Sequence, residues 1–140
     1  MILAFDTYYF DEKAKTVCVQ FSDWGDKEPL KVFSETIDSS NDYISGEFYK
    51  KELPCILSLL RQIDIIDIDF MVIDGYVFLD DLDKNGLGGH LYEEIGKALP
   101  VIGVAKNNFI KLENNKTEVY RGESTKPLYV TSVGVDREEA

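Results

Sequence analysis

Apolar and polar residues alternate over residues 15–22, where Val17, Val19 and Phe21 interleave with Thr16, Cys18 and Gln20. A period of two predicts a β-strand with one face turned toward a core. Two further stretches flank it. Residues 1–9 are apolar up to Phe5 and are then interrupted by Asp6, and residues 30–37 set Leu30 and Val32 opposite Lys31 and Phe33. Both read as strands. The polar cluster at 23–28, with Gly25, reads as a turn. Three strands on short links predict an antiparallel meander.

The pattern then changes. A polar loop at 38–42 leads into Tyr43-Ile44-Ser45-Gly46. Beyond it Ile56, Leu57, Leu59, Leu60 and Ile63 mark one face of a helix. Pro54 is placed to open that helix in its first turn, where its missing N–H costs nothing, and Glu52 stands just before it. Residues 70–73 and 101–105 are short, continuous apolar runs, as in strands covered on both faces. Between them residues 87–99 carry Leu91, Ile95 and Ala98 at helical spacing. Residues 117–121 and 127–133 flank Gly122-Glu123-Ser124-Thr125, as in a hairpin, and 136–140 read as the first turn of another helix, with acids at its positive end. The order βββ-α-β-α-β-hairpin predicts an α/β fold: a mixed sheet, part meander and part parallel, with helices on it. At 140 residues the chain is expected to be a single domain, 1–140.

Composition narrows the functions available. A net charge of −11 argues against avid nucleic-acid binding, because phosphate contacts need Lys and Arg. Any polyanion is expected to bind weakly and in a salt-sensitive way. Acids that hold a metal invert the local charge, so metal-assisted phosphodiester chemistry stays open. No apolar run approaches the ~20 residues that span a bilayer, and the chain begins directly in strand-like sequence without a secretory pattern. The expectation is a cytoplasmic, monomeric protein with no membrane partner. Cys18 and Cys55 are single, far apart and outside any metal-ligand spacing. They read as buried free thiols in a reducing compartment.

Candidate chemistry sits where apolar runs end. Asp74, followed by Gly75, closes one buried run, Lys106 closes the next, and Asp6 interrupts the first. Polar groups of an α/β sheet emerge at strand ends, and Glu52 is expected over the same edge. Three converging carboxylates repel one another unless a cation lies among them. Mg²⁺ or Mn²⁺ suits such oxygen ligands together with substrate phosphate, and two such ions can clamp the attacking and leaving oxygens of a phosphodiester. Lys106 would stabilise the developing charge. The plainer alternative is that each acid is a solvated strand end or a helix cap. Asp81-Leu82-Asp83-Lys84-Asn85-Gly86 fits the first half of a calcium loop, but the twelfth position is Tyr92 rather than Glu, so an acidic turn is the better reading.

These residues carry a resemblance. Tyr43-Ile44-Ser45-Gly46, with Glu52 nine positions after Tyr43, is similar to the Tyr-Ile-Pro-Gly pattern and metal-binding Glu of endonuclease V. Asp74-Gly75, then Gly86 and His90, then Pro100-Val101-Ile102-Gly103-Val104-Ala105-Lys106 resemble that family's Asp-Gly and Gly-Val-Ala-Lys blocks. Asp6 falls where the family has its first catalytic Asp, and residues 127–134 resemble its next strand. The resemblance implies a ribonuclease H-like fold and Mg²⁺-dependent cleavage of DNA or RNA near a deaminated base, typically inosine. It implies that Asp6, Glu52 and Asp74 are metal ligands and Lys106 the catalytic lysine. Tyr43, Ile44, Ser45 and Gly46 would form a wedge beside the lesion, with Gly75 and His90 near the substrate.

The chain also departs from the family pattern. Ser45 replaces Pro, and Tyr76-Val77-Phe78-Leu79-Asp80-Asp81-Leu82 follows Gly75 where the family has His-Gly-x-x-His-Pro-Arg. A further metal-ligating Asp or His expected beyond Gly134 has no counterpart before Ala140. The rival expectation is therefore a catalytically degenerate relative that keeps the fold as a binding module. His90, the single histidine, reads more readily as a capping or packing residue at a helix start than as a functional one.

Overall fold

A computed structural model of the chain describes residues 1–38, 49–82, 84–106, 116–120 and 126–136. These residues form seven strands and two helices in an α/β arrangement: β1 (Ile2–Phe10), β2 (Lys13–Phe21), β3 (Lys31–Asp38), α1 (Tyr49–Leu60), β4 (Phe70–Asp74), α2 (Leu87–Glu94), β5 (Val101–Ala105), β6 (Thr117–Val119) and β7 (Leu128–Val133). The chain divides into two compact units, Met1–Met71 and Val72–Ala140. Among the described residues no helix is long and apolar enough to cross a membrane.

In the first unit the predicted meander forms. β1 pairs antiparallel with β2, from Ile2 opposite Phe21 to Phe10 opposite Lys13, and β2 pairs antiparallel with β3. The β1–β2 link is the two residues Asp11 and Glu12, both with positive φ (46° and 61°). That is the turn geometry whose twist matches the flanking strands. Residues paired across strands share a face, so Leu3, Phe5, Thr16, Cys18 and Phe33 line one side. The buried residues Leu53, Cys55, Ile56 and Leu59 of α1 pack there. Polar ties complete the packing, with Ser58 Oγ and Gln62 Nε2 both donating to the Glu35 carboxylate. Met1 and Asp69 are joined by two contacts, the amino group on the carboxylate at 2.8 Å and the Asp69 N–H on the Met1 carbonyl at 2.7 Å.

Two expectations for α1 are corrected. The helix begins at Tyr49, so Pro54 lies in its second turn and Glu52 inside the first turn rather than ahead of it. Proline removes one helical donor, but tertiary burial of an apolar stripe sustains a helix more than local propensity does. Ile63 is buried, yet it follows the helix end, in a tighter turn where its N–H bonds the Leu60 carbonyl at 3.0 Å.

In the second unit β5 pairs antiparallel with β7, and β7 with β6. The paired strands of the predicted hairpin are thus present, while their connection at 121–125 and the helical turn expected at 137–140 lie outside the described residues. α2 is shorter than the predicted 87–99. Gly96 (φ 67°) and Lys97 (φ 62°) turn left-handed, and the Lys97 N–H returns to the Tyr92 carbonyl at 2.9 Å. Glycine after the last turn is a common helix stop, and Ala98 is consequently exposed rather than on the inner face. The loop before α2 is an Asp-centred turn. The Asp80 carboxylate accepts from the N–H groups of Leu82 (2.9 Å) and Lys84 (3.0 Å). Asp83 lies outside the described residues.

Burial sets the expected cost of truncation. Leu59 is 1% exposed and Leu30 57%. Leu59→Ala should lower the free energy of urea unfolding by about 2–5 kcal/mol, and Leu30→Ala should change it by no more than about 0.5 kcal/mol. Equal midpoints for the two variants would contradict the packing described.

Candidate active site

In the first unit Asp6 lies on β1 opposite Val17, with an exposed side chain. Glu52 is 6% exposed in the first turn of α1. Its neighbour is Tyr9, whose buried hydroxyl makes no hydrogen bond of regular geometry. Burial first, and then the negative charge of Glu52, push this phenol far above its usual range. Tyr9 is therefore a neutral phenol at neutral pH, beside the Glu52 carboxylate. The Lys51 ammonium sits 4.1 Å from the centroid of the Tyr9 ring, a cation–π contact that places positive charge beside Glu52 in sequence.

In the second unit Asp74 ends β4 with an exposed side chain. Gly75 follows at φ 135°, backbone that side chains rarely adopt, and its N–H donates to the Val104 carbonyl at 2.9 Å. That bond ties the residue after Asp74 to the strand that ends at Ala105, just before exposed Lys106. Two residues on, the Val77 N–H donates to Thr131 Oγ1 at 2.8 Å, both residues fully buried. Gly103 passes against the same turn. A Cβ there would stand 2.5 Å from the Gly75 carbonyl oxygen and 2.7 Å from Thr131 Oγ1. Glycine in the Gly-Val-Ala-Lys block is thus a steric requirement of the Asp74 turn.

The start of α2 docks on that turn through its glycines. Gly86 and Gly89 N–H groups share the Val77 carbonyl (2.8 and 3.0 Å), and the Gly88 N–H takes the Tyr76 carbonyl (3.1 Å). These glycines allow close packing and leave no phosphate loop. His90 follows in the helix, half-buried. Burial holds its imidazole below the usual range, against the opposing pull of the Glu94 carboxylate and the Asn85 backbone.

Tyr43, Ile44, Ser45 and Gly46 lie outside the described residues. Among the described residues no three His, Cys, Asp or Glu side chains are grouped so as to hold a metal ion. Two residues escaped sequence reasoning. Thr131 had a faint signal, a polar residue in the middle of an apolar strand. Tyr9 had none, because its meeting with Glu52 depends on the rotation of α1 over the sheet.

A sequence model of the endonuclease V family matches residues 1–137. The chain belongs to the endonuclease V family. Solved structures of other members share its fold. Human ENDOV is 21% identical, with a TM-score of 0.71 over 93% of this chain and 68% of its own. Endonuclease V of Streptomyces avermitilis is 22% identical, with 0.67 over 93% and 64%. Endonuclease V of Ciona intestinalis is 17% identical, with 0.73 over 94% and 70%, in a complex with a 24mer DNA containing an inosine followed by a ribo-adenosine. The chain therefore spans 64–70% of the length of these endonuclease V chains. No curated protein sequence matches it. The α/β architecture is the ribonuclease H-like fold of the family.

Substitutions at two positions test the Asp74 turn. Thr131→Val keeps the side-chain shape but strands the buried Val77 N–H, and should cost about 1–3 kcal/mol in urea unfolding, with Thr131→Ser costing less. Gly103→Ala should cost about 1–3 kcal/mol from overpacking. Wild-type midpoints for both Thr131→Val and Gly103→Ala would show that neither contact holds the turn.

The histidine supplies a pH test. A group whose pKa is depressed by folding contributes stability fully above its unfolded value, near 6.5, and loses that stability as pH falls. Unfolding free energy should therefore decline below about pH 6.5, and His90→Gln should flatten that decline. An identical acid limb in the variant would exclude His90 as its source.

Proposed function

We propose that this chain is a metal-dependent endonuclease that cleaves a phosphodiester near deaminated bases, inosine above all, in DNA or RNA. The observation that carries the reading is the family match over residues 1–137, with acids at 6, 52 and 74 and a lysine at 106. The inosine-containing DNA held by the Ciona intestinalis relative supports the choice of substrate.

Asp6, Glu52 and Asp74 are the residues that would hold Mg²⁺ or Mn²⁺. Their donors are all carboxylate oxygens, the hard ligands such ions prefer. Mg²⁺ keeps several of its waters and takes one or two carboxylates plus substrate phosphate, rather than a dedicated protein cage. When bound, the ion supplies a water nucleophile at neutral pH and neutralises charge on the phosphate.

The remaining work falls to the chain. Exposed Lys106 brings a positive charge to phosphate oxygens whose negative charge grows as the bond breaks. Burial on α1, beside the Tyr9 phenol, restricts the Glu52 side chain. Tyr43 and its neighbours Ile44, Ser45 and Gly46 act as a wedge, an aromatic ring standing in for lost base stacking.

The net charge of −11 favours a second reading, a non-catalytic relative that keeps the fold as a binding module. One assay separates the two. Inosine-containing single strands incubated with the protein and Mg²⁺ or Mn²⁺ should be cut by the wild type and left intact by a folded Asp74→Ala variant. Intact strands with the wild type in both metals would sink the nuclease and leave the binding module.

A further inference from the structure

We propose that the outer face of the β1–β2 hairpin is a stacking platform for the single-stranded segment of the substrate next to the cleaved bond. The inference rests on the nuclease reading above and adds a binding surface to it. Successive residues of a strand point to opposite faces, so Asp6, Tyr8 and Phe10 share the face turned away from Leu3 and Phe5. Tyr8 is 50% exposed and Phe10 40%, and their rings stack with centroids 5.5 Å apart and planes inclined by 29°. Directly across the ladder, Tyr8 is paired with Lys15 and Phe10 with Lys13. The face thus offers two aromatic rings and two ammonium groups in adjacent rows.

This combination fits one class of partner. Stacking on exposed rings accepts any base, and lysines beside them meet the phosphates that link those bases. The rows lie roughly 7 and 13 Å along the strand from Asp6, within reach of the nucleotides that adjoin the bond being cut. The short two-residue turn at Asp11 and Glu12 keeps both strands in register, so the platform is preformed. The other end of the same face is more apolar: Val19, Phe21 and Val32 occupy it, with Trp24 and Lys27 beside Val19 and Phe21. An apolar protein partner would suit that end, whereas the alternation of rings and cations at the hairpin end suits a polyanion with aromatic bases. Asp38 stands opposite Lys13, and Asp11 and Glu12 form the adjoining turn, so carboxylates moderate the charge of both lysines. The rings are therefore expected to supply most of the affinity and the lysines the salt dependence.

The test is fluorescence anisotropy with the full chain and labelled single-stranded oligonucleotides, with and without inosine, in EDTA. Cleavage of the inosine strand in Mn²⁺ is measured in parallel. Tyr8→Ala with Phe10→Ala should weaken binding about five-fold or more for both oligonucleotides, while Tyr8→Phe with Phe10→Tyr restores it. Lys13→Ala with Lys15→Ala should reduce the dependence of binding on salt. Circular dichroism of each variant confirms that these half-exposed positions leave the fold intact.

The outcomes separate the two claims. A wild type that cleaves, with ring variants that bind as tightly as it does, overturns the platform and spares the nuclease. Ring-dependent binding without cleavage supports the face as a single-strand binding surface and overturns the nuclease, and with it the placement beside a cleaved bond. A wild type with no measurable binding to either strand overturns the platform whatever the cleavage result. A change in self-association, rather than in oligonucleotide binding, on removing the rings would assign the face to a second copy of the chain and overturn the proposal.

Discussion

The second unit depends on a close approach of backbones at Gly103. β5 can pass the turn after Asp74 only because position 103 has no side chain; a single carbon there would collide with the Gly75 carbonyl and with Thr131 Oγ1. Two hydrogen bonds fix the turn against its neighbours, Gly75 N–H to Val104 and Val77 N–H to Thr131. The same turn then accepts α2 through three glycine N–H groups. A buried N–H left unpaired costs about 1–3 kcal/mol, so this arrangement is specific rather than merely compact. Its functional consequence is local. The Asp74 carboxylate and the Lys106 ammonium leave the ends of two neighbouring strands, β4 and β5.

The first unit meets a different constraint, the burial of a carboxylate. Glu52 faces the core side of α1 at 6% exposure. An ionised acid in that setting is costly unless polar groups surround it. Tyr9 supplies a neutral hydroxyl beside it, and Lys51 supplies a cation over the Tyr9 ring. A chain whose net charge is already −11 would gain little in stability alone from burying one of its carboxylates. The proposed role in holding a cation would give that burial a purpose; Asp6 and Asp74 have exposed side chains.

Much of this was legible in the residues, for physical reasons that differ from element to element. The period-two pattern from Val17 to Phe21 and the apolar runs at 70–73 and 101–105 identify strands, because one buried face or two leave direct marks on sequence. Asp74 and Lys106 stood out as charges at the ends of such runs. Pro54 misled, since a preference for the first turn yields to the burial of Leu53, Cys55, Ile56 and Leu59 around it. The end of α2 was hidden because Leu91, Ile95 and Ala98 keep helical spacing across Gly96, whose left-handed backbone closes the helix first. Tyr9 was invisible for a stronger reason. No spacing relates residue 9 to residue 52; only the rotation of α1 on the meander does. Tyr43 and its neighbours were read from a motif, and they lie outside the described residues.

The proposed nuclease requires Asp6, Glu52 and Asp74 to act on the same cation, although Asp6 stands on the face of β1 turned away from α1. Manganese binding, followed by the loss of free Mn²⁺ signal in electron paramagnetic resonance, addresses this without any need for turnover. Asp6→Asn, Glu52→Gln and Asp74→Asn, each shown to be folded, should each weaken Mn²⁺ binding by at least the roughly ten-fold loss seen when an outer-shell partner of a metal site is removed. A wild type that binds no Mn²⁺, or three variants that bind it as tightly as the wild type, would contradict the account.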